Sequence, residues 1–218
     1  MEMKAAIFDM DGTLIDSLIF WEYLWCELGK KFLQNEAFRP TPADDKAVRT
    51  LTMQDAMALI HRNYQIGPDP EWLWHYTEDL LQDFYETKVQ LKPGVKAFLE
   101  ACLKNNTKMC IASASAPALV DIVLAHCGIE KYFLKIFSCV DFGFGKERPD
   151  VYLWAQEFMG EPIEDTWVFE DSLVAIQTAA KTGFPTVGVY DRNNYGQPEI
   201  QATATRYIAP DQTLLSLL

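Results

Sequence analysis

The chain has 218 residues, of which 49% are hydrophobic and 23% charged, and its formal net charge is −12. A chain of this length and apolar content can bury a complete core, either as one large domain or as one domain that carries an insertion. The acidic balance argues against a surface for nucleic acid or for anionic membranes, because a polyanion would be repelled. We therefore expect a small molecule as the partner.

We expect neither a targeting signal nor a membrane anchor. Residues 1–4 lead directly into a short apolar segment, and no apolar stretch approaches the roughly 20 residues that span a bilayer. The five cysteines are odd in number and scattered, without the Cys-x-x-Cys spacing of zinc or redox sites. These features predict a soluble, cytoplasmic protein whose cysteines are reduced packing residues.

The first predicted element is a strand that ends in Asp9-Met10-Asp11-Gly12-Thr13-Leu14. Two carboxylates at positions i and i+2 of an extended segment point to the same side, about 7 Å apart. Two such acids are hard to keep ionised unless they share a cation or a reacting group. The alternative is a surface Asp-x-Asp-Gly turn, which the turn preferences of Asp and Gly also allow.

Residues 16–88 are predicted to be purely helical. Apolar residues recur at helical spacing in a first helix, which begins behind Ser17 as its N-cap and ends at Gly29. A second helix begins behind Thr52, and a third follows Asp69-Pro70.

From residue 89 onward, helices alternate with short apolar strands. The predicted strands are 108–112, 135–139, 166–169 and 185–189, and the helices between them end at Gly128, Gly160 and Gly183. Strands that alternate with helices imply right-handed crossovers and a parallel sheet covered on both faces. The predicted fold is α/β: a Rossmann-like parallel sheet core formed by residues 1–15 and 89–218, with an α-helical cap, residues 16–88, inserted after the first strand.

Polar residues follow the other predicted strands at the edge where active sites of such sheets lie. After the second strand, the Ser113 hydroxyl and the following backbone amides offer a phosphate cradle, while Ser115 is expected to cap the next helix. Lys146 lies in a glycine-containing segment after the third strand, and Glu170 and Asp171 follow the fourth. Carboxylates from two strands, a cation and a hydroxyl together predict a magnesium and phosphoryl site.

Four ordered motifs carry a resemblance to a known family. They are D-x-D-G-T-L at the first strand, a serine after the second, G-K-x-x-P-D-x-Y after the third, and E-D-S after the fourth. This set resembles the haloacid dehalogenase-like hydrolase superfamily over essentially the whole chain.

The resemblance implies a Mg²⁺-dependent phosphatase acting on a small phosphorylated metabolite. Asp9 would be the nucleophile that forms an aspartyl-phosphate, and Asp11 the general acid and base. The carbon–halogen and carbon–phosphorus hydrolases of the superfamily lack an acid at the place of Asp11, so phosphoryl transfer is favoured.

The resemblance also assigns ligands. Mg²⁺ would be held by Asp9, the Asp11 backbone carbonyl and Asp171, with Glu170 close by as a ligand or a neighbouring partner. The residues that would hold the transferred phosphoryl group are Ser113, Ala114 and Lys146. The helical cap would exclude water and recognise the leaving group.

The sequence leaves two alternative functions open. A sugar phosphomutase of the β-phosphoglucomutase type shares the motifs, but it has a histidine where this chain has Trp21 and a basic residue where this chain has Thr52-Met53-Gln54-Asp55. A phospho-accepting signalling domain also combines Asp, Mg²⁺, a hydroxyl and Lys, but such domains are about half as long and lack an inserted cap. The sequence does not predict the oligomeric state.

Overall fold

The computed structural model describes residues 3–49 and 51–218. Residues 1, 2 and 50, which the predicted core and cap include, lie outside the described residues. The chain divides into two compact units: an α/β unit of residues 3–18 and Val89–Leu218, and a helical unit of Ile19–Lys88. The predicted inserted segment begins at residue 16, and the helical unit begins at Ile19.

The helical unit consists of α-helices and one π-helical segment. Their bounds are α1 Phe20–Leu28, the π-helix Gly29–Leu33, α2 Pro42–Val48, α3 Met53–Tyr64 and α4 Pro70–Thr87. The predicted starts at Thr52 and Asp69 are confirmed, because their side chains accept hydrogen bonds from the third following backbone N–H, at 3.2 Å and 2.8 Å. Helix α2 was not predicted, although Thr41 caps it in the same way and Pro42 occupies its first position.

Two boundaries predicted for the first helix are wrong. Ser17 lies outside α1, its buried hydroxyl has no hydrogen-bond partner among the described residues, and Ile19 occupies the N-cap position. Gly29 has a helical φ of −62°, so the chain continues through the π-helix and turns at Gln34, whose φ is 53°. A Cβ on Gly29 would lie 2.2 Å from the carbonyl oxygen of Asn35. This glycine therefore permits close packing and does not end the helix.

The α/β unit is built on one parallel sheet. Within the described residues its strands are β1 Ala5–Phe8, β2 Lys108–Ser113, β3 Lys135–Ser138, β4 Thr166–Glu170, β5 Thr186–Val189 and β6 Arg206–Ile208. Their order is β3-β2-β1-β4-β5-β6, and every neighbouring pair is parallel. The predicted α/β class is confirmed. The edge strand β6 was not predicted, because three residues are too short to show a periodic pattern.

Helices connect the strands of the α/β unit. They are α5 Val95–Lys104, α6 Pro117–Cys127, α7 Asp150–Met159, α8 Leu173–Thr182 and α9 Gln197–Thr203, with 3₁₀ turns at Glu130–Tyr132, Cys139–Phe142, Ile163–Asp165 and Leu214–Leu217. The predicted ends of three helices are confirmed, because Gly128, Gly160 and Gly183 directly follow α6, α7 and α8 with φ between 62° and 101°. No described helix has the length and apolar character needed to cross a membrane.

The sheet buries apolar residues on both faces, as parallel sheets do. On one face, Phe8 of β1 stacks on Phe169 of β4 with ring centroids 4.5 Å apart, and Phe98 of α5 contacts both rings. Ile7 and Val168 belong to a second buried cluster that includes residues of α7 and α8. Apolar residues on both faces therefore hold the central strands β1 and β4 in place.

Replacing Phe98 by Ala is expected to lower the free energy of unfolding of the α/β unit by about 3–5 kcal/mol, because the fully buried ring leaves a cavity between the helix and the sheet. The matched control is Phe158→Ala on α7, where the ring is 51% exposed and the expected loss is below about 1 kcal/mol. Urea unfolding followed by circular dichroism measures both. Equal losses would contradict this description of the core.

Candidate active site

Three carboxylates meet at the carboxyl ends of the two central strands. Asp9 follows β1 and donates its backbone N–H to the Phe169 carbonyl at 2.9 Å, while Glu170 ends β4 and Asp171 follows it. All three side chains are buried, and one potential ligand oxygen of each lies within 4.8 Å of the others. The parallel register thus brings together three of the predicted site residues. The surface-turn alternative is wrong for Asp9.

Lys146 is the cation of this cluster. Its ammonium contacts Asp9 Oδ1 and lies 2.5 Å from Glu170 Oε1, with only 10% of the side chain exposed. The Tyr152 hydroxyl of α7 donates to the same Glu170 oxygen at 3.0 Å. The sequence predicted no role for Tyr152, although it is the tyrosine that ends the G-K-x-x-P-D-x-Y motif.

The electrostatics of the cluster follow from burial and from an excess of negative charge. Burial raises the pKa of Asp9 well above its ordinary value, and the Lys146 ammonium only partly opposes this. Burial, with Glu170 next to it, raises the pKa of Asp171 from 3.8 to about 7. Burial alone would lower the pKa of Lys146, but the two carboxylates it contacts outweigh that effect and raise it. The lysine is therefore positively charged, and three carboxyl groups share this one neighbouring ammonium.

Gly12 allows the loop after β1 to approach Asp171. Its φ is 77°, and a Cβ at this position would lie 2.2 Å from Asp171 Oδ2. A side chain is thus excluded both by the left-handed backbone and by the adjacent carboxylate. The close approach shows why the predicted Asp-x-Asp-Gly sequence needs its glycine.

The remaining predicted residues form a second group of contacts. Asp11 is half-buried, and its Oδ2 accepts a hydrogen bond of 2.8 Å from the Ser115 hydroxyl. Ser113 is fully buried, and its Oγ accepts the Ser115 backbone N–H at 3.0 Å, while Ala114 between them is exposed. The prediction that Ser115 caps the next helix is wrong, because Ala116 occupies the N-cap position of α6. The Ser115 hydroxyl donates a hydrogen bond to Asp11 instead.

The donor set fits a hard divalent cation. Asp9, Glu170 and Asp171 supply carboxylate oxygens, which are the ligands that Mg²⁺ and Ca²⁺ prefer. Their oxygens converge in a buried place, where the Lys146 ammonium contacts Asp9 and Glu170. A divalent cation would supply the charge that these groups lack.

Comparisons with known proteins identify the family of this chain. Residues 3–183 match the family model for haloacid dehalogenase-like hydrolases. A phosphorylated carbohydrates phosphatase of Thermotoga maritima is 24% identical over 213 residues, 97% of each chain. A fructose-1-phosphate phosphatase of Escherichia coli is 28% identical over 184 residues, 84% of this chain and 94% of the relative.

A solved structure shares the fold. It is that of a Thermotoga maritima protein provisionally assigned as a β-phosphoglucomutase; it covers 99% of this chain and 98% of its own, with a TM-score of 0.84 and 22% identity. This chain belongs to the haloacid dehalogenase-like hydrolase family, as its four motifs indicated. The family match and the phosphatase relatives confirm the predicted enzyme class, a phosphatase of that family.

In protein freed of divalent cations, Asp171→Asn is expected to raise the midpoint of thermal unfolding, and to raise it more at pH 8 than at pH 4. Between pH 4 and pH 7 the folded protein keeps a proton on Asp171 that the unfolded chain has lost, because the pKa is about 7 when folded and 3.8 otherwise. Stability therefore falls as the pH rises through this window, and at pH 8 the full cost of the buried charge is present. The neutral amide removes that cost.

Melting curves in EDTA at pH 4, 6 and 8 measure the difference between variant and wild type. The control is Asp165→Asn, which removes a carboxylate that pairs with Lys4 at 2.8 Å and lies outside the cluster. This control should show no gain that grows with pH. A gain from Asp171→Asn of the same size at every pH would contradict the raised pKa.

Proposed function

We propose that this protein is a Mg²⁺-dependent phosphomonoester hydrolase that acts on a small phosphorylated metabolite through an aspartyl-phosphate on Asp9. The observation that carries the proposal is the buried contact of Lys146 with Asp9 and Glu170 at the carboxyl ends of β1 and β4. The relatives named for phosphorylated carbohydrates and for fructose 1-phosphate support a sugar phosphate as the substrate class.

The residues that would hold Mg²⁺ are Asp9 and Asp171, through their carboxylates, and Asp11, through its backbone carbonyl, with Glu170 beside them. The ion would withdraw charge from the phosphoryl oxygens, which otherwise repel an attacking carboxylate. The convergence of the Asp9, Glu170 and Asp171 side chains supports this assignment.

Asp9 is the proposed nucleophile. A carboxylate oxygen forms a bond to phosphorus while the ester P–O bond breaks, and the electron pair leaves with the alcohol oxygen. Lys146 neutralises charge on the phosphoryl group, and the Ser113 hydroxyl and the Ala114 amide bind its oxygens. The ion pair of Lys146 with Asp9 supports these roles, because it keeps a permanent cation next to the attacking group.

Asp11 is the proposed general acid and base. It donates a proton to the leaving alcohol oxygen and then removes one from the water that hydrolyses the aspartyl-phosphate. The hydrogen bond from Ser115 supports this role, because it holds the Asp11 carboxyl in one orientation.

We also propose that the protein is cytoplasmic. Its free cysteines support this location, and three of them, Cys102, Cys110 and Cys139, are buried.

A panel of phosphate esters tests the function. We expect the wild type with Mg²⁺ to release inorganic phosphate catalytically from at least one of fructose 1-phosphate, β-glucose 1-phosphate, phosphoglycolate or a nucleotide. Asp9→Asn should lower that rate by at least about 10³-fold, or about 4 kcal/mol of barrier, because an amide is a poor nucleophile.

The same assay separates the alternatives. Glucose 6-phosphate is followed with catalytic glucose 1,6-bisphosphate present, and its rapid formation with negligible phosphate release would show a mutase. A single phosphorylation per site with slow decay would show a phospho-accepting domain. Asp165→Asn serves as the control and should keep wild-type turnover, because Asp165 pairs with Lys4 before the start of β1, at the opposite end of the strand from Asp9.

Asp11→Asn is expected to slow the phosphorylation step strongly for alkyl phosphates and weakly for p-nitrophenyl phosphate. An alkoxide needs a proton to leave, whereas an activated phenolate does not, and general acid help is typically worth about 10²–10⁴ in rate. Single-turnover kinetics with each ester measure this step. Equal losses on both esters would remove Asp11 from the acid role.

A further inference from the structure

The side chain of Asn194 contacts Asp171 from outside the predicted motifs. Its Nδ2 donates to Asp171 Oδ2 at 2.7 Å and to the Asp171 backbone carbonyl at 2.9 Å. At the other end of the amide, Oδ1 accepts the Tyr195 backbone N–H at 2.8 Å. Reversing the amide would place an oxygen against two oxygens and an NH₂ against an N–H, so these partners specify one orientation.

The turn that carries Asn194 is organised by a second buried carboxylate. Asp191 is 2% exposed, and its Oδ1 accepts the Asn193 backbone N–H at 2.7 Å. Its backbone carbonyl accepts the Asn194 N–H at 3.2 Å and the side-chain amide of Gln197 at 3.1 Å. The position of Asn194 therefore depends on the position of Asp191.

Lys92 connects this turn to the loop after β1. Its ammonium lies 2.8 Å from Asp191 Oδ2 and donates to the Tyr190 carbonyl at 2.8 Å, at the end of β5. Its backbone N–H donates to the Leu14 carbonyl at 2.9 Å, within the D-x-D-G-T-L motif. One residue thus ties the loop that contains Asp11 to the turn that contains Asn194.

We infer that Asn194 is a positioning residue that orients Asp171 for a divalent cation, and that the Lys92–Asp191 ion pair holds the turn that carries Asn194 in position. This inference rests on the metal site of the proposed function. Hydrogen bonds to a ligating carboxylate fix its orientation, and losing them typically costs about 10–100-fold in metal affinity. A neutral amide provides this bond without adding charge to a cluster that already holds Lys146.

The test measures Mg²⁺ binding directly, by calorimetry on the whole protein without substrate. Asn194→Ala is expected to weaken Mg²⁺ binding by about 10–100-fold. The Mg²⁺ concentration for half-maximal phosphate release should rise by the same factor, while the rate at saturating Mg²⁺ stays within about threefold of wild type.

Gln197→Ala is the matched control, because it removes a side-chain bond to the same turn without touching Asp171. It should leave Mg²⁺ binding within about twofold of wild type, even if both variants lower the melting temperature equally. If Gln197→Ala weakens Mg²⁺ binding as much as Asn194→Ala does, Asn194 only stabilises the turn and the inference is overturned.

A double-mutant cycle tests the ion pair. Lys92→Met should weaken Mg²⁺ binding in the wild-type background, even though removing a positive charge that acts on Asp171 favours the ion. It should cause no further weakening in the Asn194→Ala background, because the weakening acts through the Asn194 contact. Additive losses would overturn the role given to Lys92. If Lys92→Met fails to fold, Lys92→Gln, which also removes the charge but keeps a polar side chain, is tested in the same cycle.

Different results would overturn the proposed function and the positioning role of Asn194. Wild type that binds Mg²⁺, together with an Asn194→Ala variant that binds it equally well, would overturn the positioning role and leave the phosphatase proposal intact. Wild type that binds no Mg²⁺ in the millimolar range would overturn the proposed metal site and, with it, the inference.

Discussion

The structure depends most on the buried contact of Lys146 with Asp9 and Glu170. Three carboxylates at the ends of two adjacent strands repel one another, and one ammonium reduces that repulsion without removing it. The three carboxyl groups make the cluster suited to a divalent cation, which would favour their ionised form, and to a phosphoryl group that arrives with it. Burial, together with the neighbouring carboxylates, raises the pKa values of Asp9 and Asp171, and the proposed chemistry uses the same buried, acid-rich surroundings.

Sheet topology explains why these residues meet. Because β1 lies between β2 and β4 and all three are parallel, one edge of the sheet collects Asp9, Ser113 and Glu170 from segments far apart in sequence. The register pairs Phe8 with Phe169, so Asp9 and Glu170, which follow these two residues, lie at the same height along neighbouring strands. Stacking of these two rings therefore helps to set the relative positions of the carboxylates.

The sequence predicted the parts of the structure that local patterns determine. Strand β1, the strand-end residues and the helix stops at Gly128, Gly160 and Gly183 were found because apolar runs and glycines mark them. Ser115 shows the limit of such patterns, because a serine before a helix has the same local signature whether it caps the helix or contacts Asp11 across the sheet. Asn194 illustrates the same limit, since nothing in its neighbourhood in sequence indicates a contact with Asp171, 23 residues away.

The contacts to carboxylates of the site that sequence reasoning missed have one physical feature in common. Tyr152 donates to Glu170, Ser115 to Asp11 and Asn194 to Asp171, so each is a neutral donor that bonds a carboxylate of the site. A charged donor in any of these places would compete with a cation for the same oxygens, whereas a hydroxyl or an amide orients the carboxylate and leaves its charge available. Lys146 therefore supplies the permanent positive charge of the site, and the neutral donors set the orientation of the carboxylates. These neutral donors therefore orient the carboxylates and add no positive charge beside the oxygens that a divalent cation would bind.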